Sequence, residues 1–291
     1  MATGRADLVN IWDGLPYGSL AIRYPARVHS GLKLGTLFLF LNTRQPPFTS
    51  LKARQAINYA IDRTRFIQLD QFGSRSQATP TCQILPAGFP SHQRYCPYTA
   101  GAKDGGWHGP DLAKALRLAR ESGTTDVPVT VWNILGQPVG AYLVQLLRQL
   151  GYRATLRNVS PDEFFATASD SRRKIQIGVD GWIANIPAPS DFFFQVLSCH
   201  SFYQDPTSTA NRAEFCDPQA DQLASKAQAA QPTDPAAARR LWAQVDRVVT
   251  DQAPWVPIYN NSLTWLVSAR VRNYQDSPYY VGPLLAQIWV R

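Results

Sequence analysis
The chain has 291 residues, 45% of them apolar and 17% charged, enough length to bury about 75% of its unfolded surface and too little charge for a disordered chain or a coiled coil. Net charge is +8, yet the densest basic runs are only Arg172-Arg173-Lys174 and Arg239-Arg240, with no basic stripe interleaved with aromatics to track a nucleic-acid strand. That pattern argues against nucleic acid as a partner. No run of 18 apolar residues is present to span a membrane, and residues 1–7 lack the apolar stretch of a signal peptide. The protein is therefore expected to be cytosolic, or the chain to start downstream of its natural N-terminus.

In chain order, Leu37-Phe38-Leu39-Phe40-Leu41 is a continuous apolar run that predicts a buried strand over residues 32–42, ended by Pro46 and Pro47. Thr49 or Ser50 stands where a cap belongs, ahead of a helix whose apolar face is Ala53, Ile57, Ala60 and Ile61. A second helix opens near Pro110 and closes at Gly123. Residues 126–159 read as strand, helix, strand, a unit that closes with parallel strands. Ser160-Pro161-Asp162-Glu163 is a capping box with proline at the first helical position. Residues 174–183 predict a strand ending in Gly181-Trp182. Asp217-Pro218 and Asp234-Pro235 open two more helices, and residues 255–259 and 263–267 predict two further strands. The sum is a mixed α/β architecture without internal repeats.

Four cysteines form two sequence-local couples, Cys82 with Cys96 and Cys199 with Cys216. Three connectivities are possible, and the two local bridges are preferred because each ties down a long irregular loop, for about 3 kcal/mol apiece. Bridged cysteines imply an oxidising, extracytoplasmic compartment; the other reading is four buried thiols.

Catalytic signatures are missing. His29, His92, His108 and His200 form no metal-ligating spacing, and neither a nucleophile elbow nor a phosphate-binding loop is present. The expectation is no enzyme, no metal and no cofactor. His200 next to Cys199 would make a Cys/His pair only if that cysteine were free. What remains is a recognition chain with 8 Trp, 12 Tyr and 13 Phe. The turn Gly181-Trp182-Ile183-Ala184-Asn185 at a strand end is the best candidate for a ligand cleft, because such turns present polar groups while rings supply apolar walls; Trp182 as a plain core residue is the competing reading.

At these residues a resemblance enters. Asn42-Thr43-Arg44-Gln45-Pro46-Pro47-Phe48, followed by Ala53-Arg54-Gln55-Ala56-Ile57-Asn58-Tyr59-Ala60-Ile61-Asp62-Arg63, resembles the signature segment of the extracellular solute-binding proteins of peptide/nickel-type ABC importers, family 5. Leu150-Gly151-Tyr152, Phe192-Phe193, Cys216-Asp217-Pro218 and Ala253-Pro254-Trp255-Val256-Pro257-Ile258-Tyr259 extend it over nearly the whole chain, against the C-terminal half of such proteins only. The resemblance implies one lobe of a type II periplasmic-binding-protein-like fold with a mixed sheet, closing on a solute like a hinged clamp. It implies that 35–262 is the C-terminal ligand-binding lobe, that 1–34 is a hinge-crossing remnant of the other lobe, and that 263–291 returns to it. The two end segments are then expected to expose strand edges and apolar faces, with poor stability of the chain on its own.

The resemblance also implies an extracytoplasmic, non-catalytic binding component that hands its solute to ABC permease subunits. In the similar peptide binders an aspartate follows the Gly-Trp pair and pairs with the peptide amine; here that position is Asn185. Dipeptide binders carry an arginine for the peptide carboxylate where this chain has Gln137-Pro138. With both ionic handles replaced, the expected ligand is neutral or weakly charged: a modified peptide, a sugar-like molecule or a nickel chelate. Trp182, Asn185, Asn211 and Trp132 are the expected contacts. A ligand-sensing domain of a regulator built on the same fold is the alternative function, and a secreted hydrolase a distant third.

Overall fold
The apolar run around residue 39 lies at the centre of the molecule because both of its faces are buried. Leu39 and Leu41 enter one hydrophobic core, and Phe38 and Phe40 enter a second on the opposite side of the sheet. The structure, a computed structural model, describes residues 6–11, 17–70, 78–203, 205–277, 279 and 282–291. Parts of the expected 1–34 and 263–291 segments, residues 1–5, 12–16, 278 and 280–281, therefore lie outside the described residues.

The elements run β1 (Leu8–Asn10), α1 (Tyr17–Arg23), β2 (Val28–Leu41), α2 (Leu51–Ala60), α3 (Arg63–Leu69), β3 (Thr79–Pro80), α4 (Leu112–Glu121), β4 (Pro128–Asn133), α5 (Gln137–Gln149) and β5 (Arg153–Asn158). They continue with α6 (Pro161–Ala168), β6 (Ile177–Ile183), α7 (Ser190–Val196), α8 (Cys199–Tyr203), α9 (Pro218–Ala230), α10 (Pro235–Gln252), β7 (Trp255–Val267), β8 (Val271–Arg272), β9 (Asp276–Ser277), β10 (Gly282–Pro283) and β11 (Trp289–Val290). One sheet has the order β1-β7-β2-β6-β4-β5, with β3 also paired to β7. Strand β4 is parallel to β5 and β6, and the other pairs are antiparallel. This is a mixed α/β lobe, as expected.

Local chemistry explains the helix starts. Ser160 accepts from the Glu163 amide, Asp217 from Gln219 and Ala220, and Asp234 from Ala237, each relieving amides that have no partner inside the helix. Ser50 stands at the start of α2 but makes no such bond; instead Arg54, on the helix, binds the carbonyls of Phe48 and Gln252. The two disulfides join Cys82 to Cys96 and Cys199 to Cys216, and no described cysteine is free.

The two strands expected within residues 255–267 are one continuous strand, β7. The polar break at Asn260 stays in the sheet because its amide donates to the Gly35 carbonyl and the Thr36 hydroxyl of β2. The chain ends also differ from the expectation of unpaired edges. Strand β1 and the first half of β2 both pair with the second half of β7, and β8 with β11 and β9 with β10 form two short ladders. Exposed apolar side chains remain there, among them Ile22, Leu32, Leu285, Trp289 and Val290.

Candidate functional site
Because β4 runs parallel to both β5 and β6, the carboxyl ends of all three open on the same end of the sheet, the end at which ligands bind in open α/β sheets. Strand β6 reaches furthest, pairing Trp182 with Thr36 and Ile183 with Gly35. The chain then turns, anchored where the Ala184 amide donates to the Leu34 carbonyl (2.8 Å). This turn is the expected corner, and it is at the surface: Trp182 is half-buried and Asn185 exposed. Ile183 and Ile186, 37% and 53% exposed, give it an apolar lip.

Asp191 in the first turn of α7 holds the corner together. Its Oδ2 accepts from Trp182 Nε1 (2.8 Å) and from the Asn185 backbone amide (3.1 Å), and its Oδ1 from Asn185 Nδ2 (3.5 Å). The side chain is only 5% exposed. A carboxylate therefore lies within hydrogen-bonding distance of Asn185, although position 185 itself carries an amide. Sequence reasoning missed it; the available signal was an acid two residues after Pro189, in a helix first turn, which by itself reads as dipole compensation.

Asp191 thus brings Trp182 and Asn185 together, whereas Trp132 and Asn211 are buried. Trp132 is in the core on β4, 8% exposed, with the Arg157 guanidinium 4.2 Å above its ring. Asn211 is corrected from ligand contact to loop anchor. Its Nδ2 donates to the Ser198 and Phe215 carbonyls and its Oδ1 accepts from the Phe215 amide, and the residue is fully buried, with no surface to offer a ligand. Gln137 does stand at the carboxyl ends, in a chain of side-chain amides: Asn133 Nδ2 donates to Asn158 Oδ1 (2.7 Å), and Asn158 Nδ2 to Gln137 Oε1 (2.5 Å).

A cavity of about 410 Å³ lies beside Asn260 and the Cys82–Cys96 loop, lined also by His92, Arg94 and Trp107. Gln83, one of its lining residues, is held by Asp246 of α10, which accepts from Gln83 Nε2 and from the Ile84 and Leu85 amides, and burial pushes the Asp246 carboxyl up to about 6. Asp180 of β6 forms a buried ion pair with Arg212, which ties β6 to the Cys199–Cys216 loop. Among the described residues no group of three or more His, Cys, Asp or Glu is placed to hold a metal ion, and no helix is long and apolar enough to cross a membrane.

A family profile, "Bacterial extracellular solute-binding proteins, family 5 Middle", matches residues 2–204. The chain belongs to that family. Among curated relatives, this family 5 chain is similar to a probable di/tripeptide-binding protein 5 of Pseudomonas aeruginosa, 29% identical over 248 residues. It is also similar to the glutathione-binding protein GsiB of Escherichia coli, 26% identical over 244 residues. These alignments take in 84% and 81% of this chain but 44% of each relative, so the chain spans less than half the length of the curated relatives it matches. The fold matches a clavulanic acid biosynthesis oligopeptide binding protein 2 with TM-score 0.85 and 20% identity, over 99% of this chain and 53% of that one. It matches the periplasmic binding protein DppA of Helicobacter pylori, in complex with the peptide STSA, with TM-score 0.75 and 18% identity, again over 99% and 53%. The type II periplasmic-binding-protein lobe is therefore the architecture of this family 5 chain.

Proposed function
We propose that the chain is the C-terminal lobe of the substrate-binding component of an ABC importer, that it works outside the cytoplasm, and that it grips a short peptide or related small solute without transforming it. On this reading residues 35–262 carry the site, and 1–34 and 263–291 belong with a second lobe that closes over it. The change of register between Leu32 and Thr36, where β2 slips against β7, supports a division near residue 34. Two disulfides and no free described cysteine support an oxidising compartment over an intracellular sensor.

The observation that carries the reading is the Trp182–Asn185 corner: a half-exposed indole and an exposed amide, held rigid from behind at the carboxyl end of a central strand. A flat ring with a fixed polar group beside it is the composition of a solute subsite. The peptide class follows from the relatives, whose names point to di- and tripeptides and to glutathione. Calorimetric titration with a panel of di- and tripeptides and glutathione tests it. Binding is expected, with Trp182→Ala weakening it by about 30-fold, the loss of an aromatic anchor worth roughly 2 kcal/mol, and the exposed variant Asn185→Leu weakening it while leaving the melting temperature unchanged. Unaltered affinity in both variants contradicts the assignment.

A further inference from the structure
Arg94, Lys103, Lys114 and Arg247 line a cleft of about 530 Å³ between the end of α2, the segment around Cys96, the first turn of α4 and α10. It meets the cavity beside Asn260 at Arg94 and Cys96, and no residue of the 181–186 corner belongs to it. Among the described residues none of the four cations forms an ion pair. Two tyrosine rings place three of them. Lys114 Nζ stands 4.1 Å from the Tyr59 ring centre and donates to the Tyr59 hydroxyl (2.5 Å), Lys103 Nζ stands 5.9 Å from the same centre, and the Arg247 guanidinium lies 5.3 Å from the Tyr95 ring. Lys103 is tied down, since its Nζ donates to the Pro97 and Thr99 carbonyls (both 3.1 Å), which leaves one of its three N–H groups uncommitted. Glycines bring the fourth cation in: a Cβ on Gly105 would lie 2.7 Å from the Arg94 carbonyl oxygen, and one on Gly106 would lie 2.8 Å from the Arg94 guanidinium. The neighbouring acids are already engaged. Asp104, which also lines the cleft, accepts from the Gly106 amide (2.9 Å) and meets the His108 ring (2.8 Å), Asp111 caps α4 through the Lys114 amide (2.9 Å), and Asp251 takes the Tyr95 hydroxyl (2.6 Å). Like charges held together cost free energy that an anion between them returns. Lys103 carries that cost: desolvation, and then the charge of Lys114, pull its pKa below the ordinary lysine range.

We propose that this cleft is a second binding site, for a small polyanion carrying two or more phosphate groups. Phosphate suits it because each group offers three acceptor oxygens to donors that arrive from several elements, and because one phosphate carries at most about two negative charges against four cations. The concave shape selects a small solute. A membrane surface or a nucleic-acid strand needs a continuous basic stripe, which the chain lacks.

The test is calorimetric titration of the full chain with tripolyphosphate and, separately, with orthophosphate. Tripolyphosphate is expected to bind about tenfold or more tighter than orthophosphate, through its additional charge-assisted bonds. Lys103 and Arg247 are exposed, so Lys103→Gln and Arg247→Gln are expected to melt with wild type while each weakens tripolyphosphate about tenfold, the loss of one hydrogen bond to a charged group. Arg239→Gln/Arg240→Gln removes two exposed charges of α10 outside the cleft and is expected to change the affinity by about twofold or less, since distant charges are screened by salt. Absence of tripolyphosphate binding overturns the proposal. So does a loss in the Arg239/Arg240 variant as large as in the cleft variants, which marks attraction to net charge alone. Co-sedimentation with phosphatidylglycerol vesicles that free tripolyphosphate does not displace overturns it as well, and makes this face a membrane contact.

Discussion

Replacing Arg63 with alanine is expected to destabilise the lobe by about 3–5 kcal/mol, from carbonyls left without donors and from the cavity left behind. Arg63 opens α3 and is completely buried. Its Nε donates to the Thr81 and Pro257 carbonyls (2.7 and 2.8 Å), and its terminal nitrogens reach the Asn58 carbonyl and side chain (3.3 and 3.4 Å). One side chain thus joins α2, the segment leading into the Cys82–Cys96 loop, and β7. Burial pulls its pKa down to about 9, which the nearby Tyr142, Tyr98 and Asp62 only partly oppose, so the charge itself is a burden and the hydrogen bonds are the gain. Two further variants separate these effects. Methionine restores volume without donors and is expected to recover only about 1–2 kcal/mol. Lysine keeps the charge but lacks the planar set of donors with which Arg63 reaches Thr81, Pro257 and Asn58 together, and is expected to remain well below wild type. Urea unfolding of the three variants checks the order; an alanine variant within about 1 kcal/mol of wild type refutes this account of Arg63.

Removing both disulfides, by Cys→Ser at all four positions, is expected to lower stability by about 6 kcal/mol, nearly equally shared, because each bridge removes about 3 kcal/mol of loop-closure entropy from the unfolded chain. The sequence separations are 14 and 17, too close to distinguish when closure entropy grows only with the logarithm of loop length. The folded loops have their own anchors: Asp246 under the first and Asn211 within the second. The loss is therefore expected to appear in the unfolding midpoint with little change in the secondary-structure signal at room temperature. Equal midpoints for oxidised and cysteine-free protein would contradict it.

Much of the fold is legible along the chain because its signals are local. Aspartate or serine followed by proline marks α6, α9 and α10, since the capping side chain and the amides it serves lie within three residues. The parallel unit β4-α5-β5 is visible as a change of apolar period, and the cysteine couples as brackets around irregular segments. What escaped depends on partners distant in sequence. Whether Asn260 breaks β7 or continues it is decided by Gly35 and Thr36, 225 and 224 positions away. Asn211 looks like a candidate contact until the carbonyls of Ser198 and Phe215 are seen to consume its amide. Asp191 was hidden differently: a helix-start acid has an ordinary explanation, and only the return of the chain after β6 shows that its partners are Trp182 and Asn185.

The central claim is that a solute is held at the carboxyl ends of β4, β5 and β6, at the corner built on Asp191. Amide hydrogen–deuterium exchange with and without a bound peptide from the panel tests it most directly. The account predicts new protection concentrated in residues 181–186 and in the facing stretch of β2 around Gly35. Protection confined to the walls of the cavity between residues 79 and 108, with the corner unchanged, would contradict it.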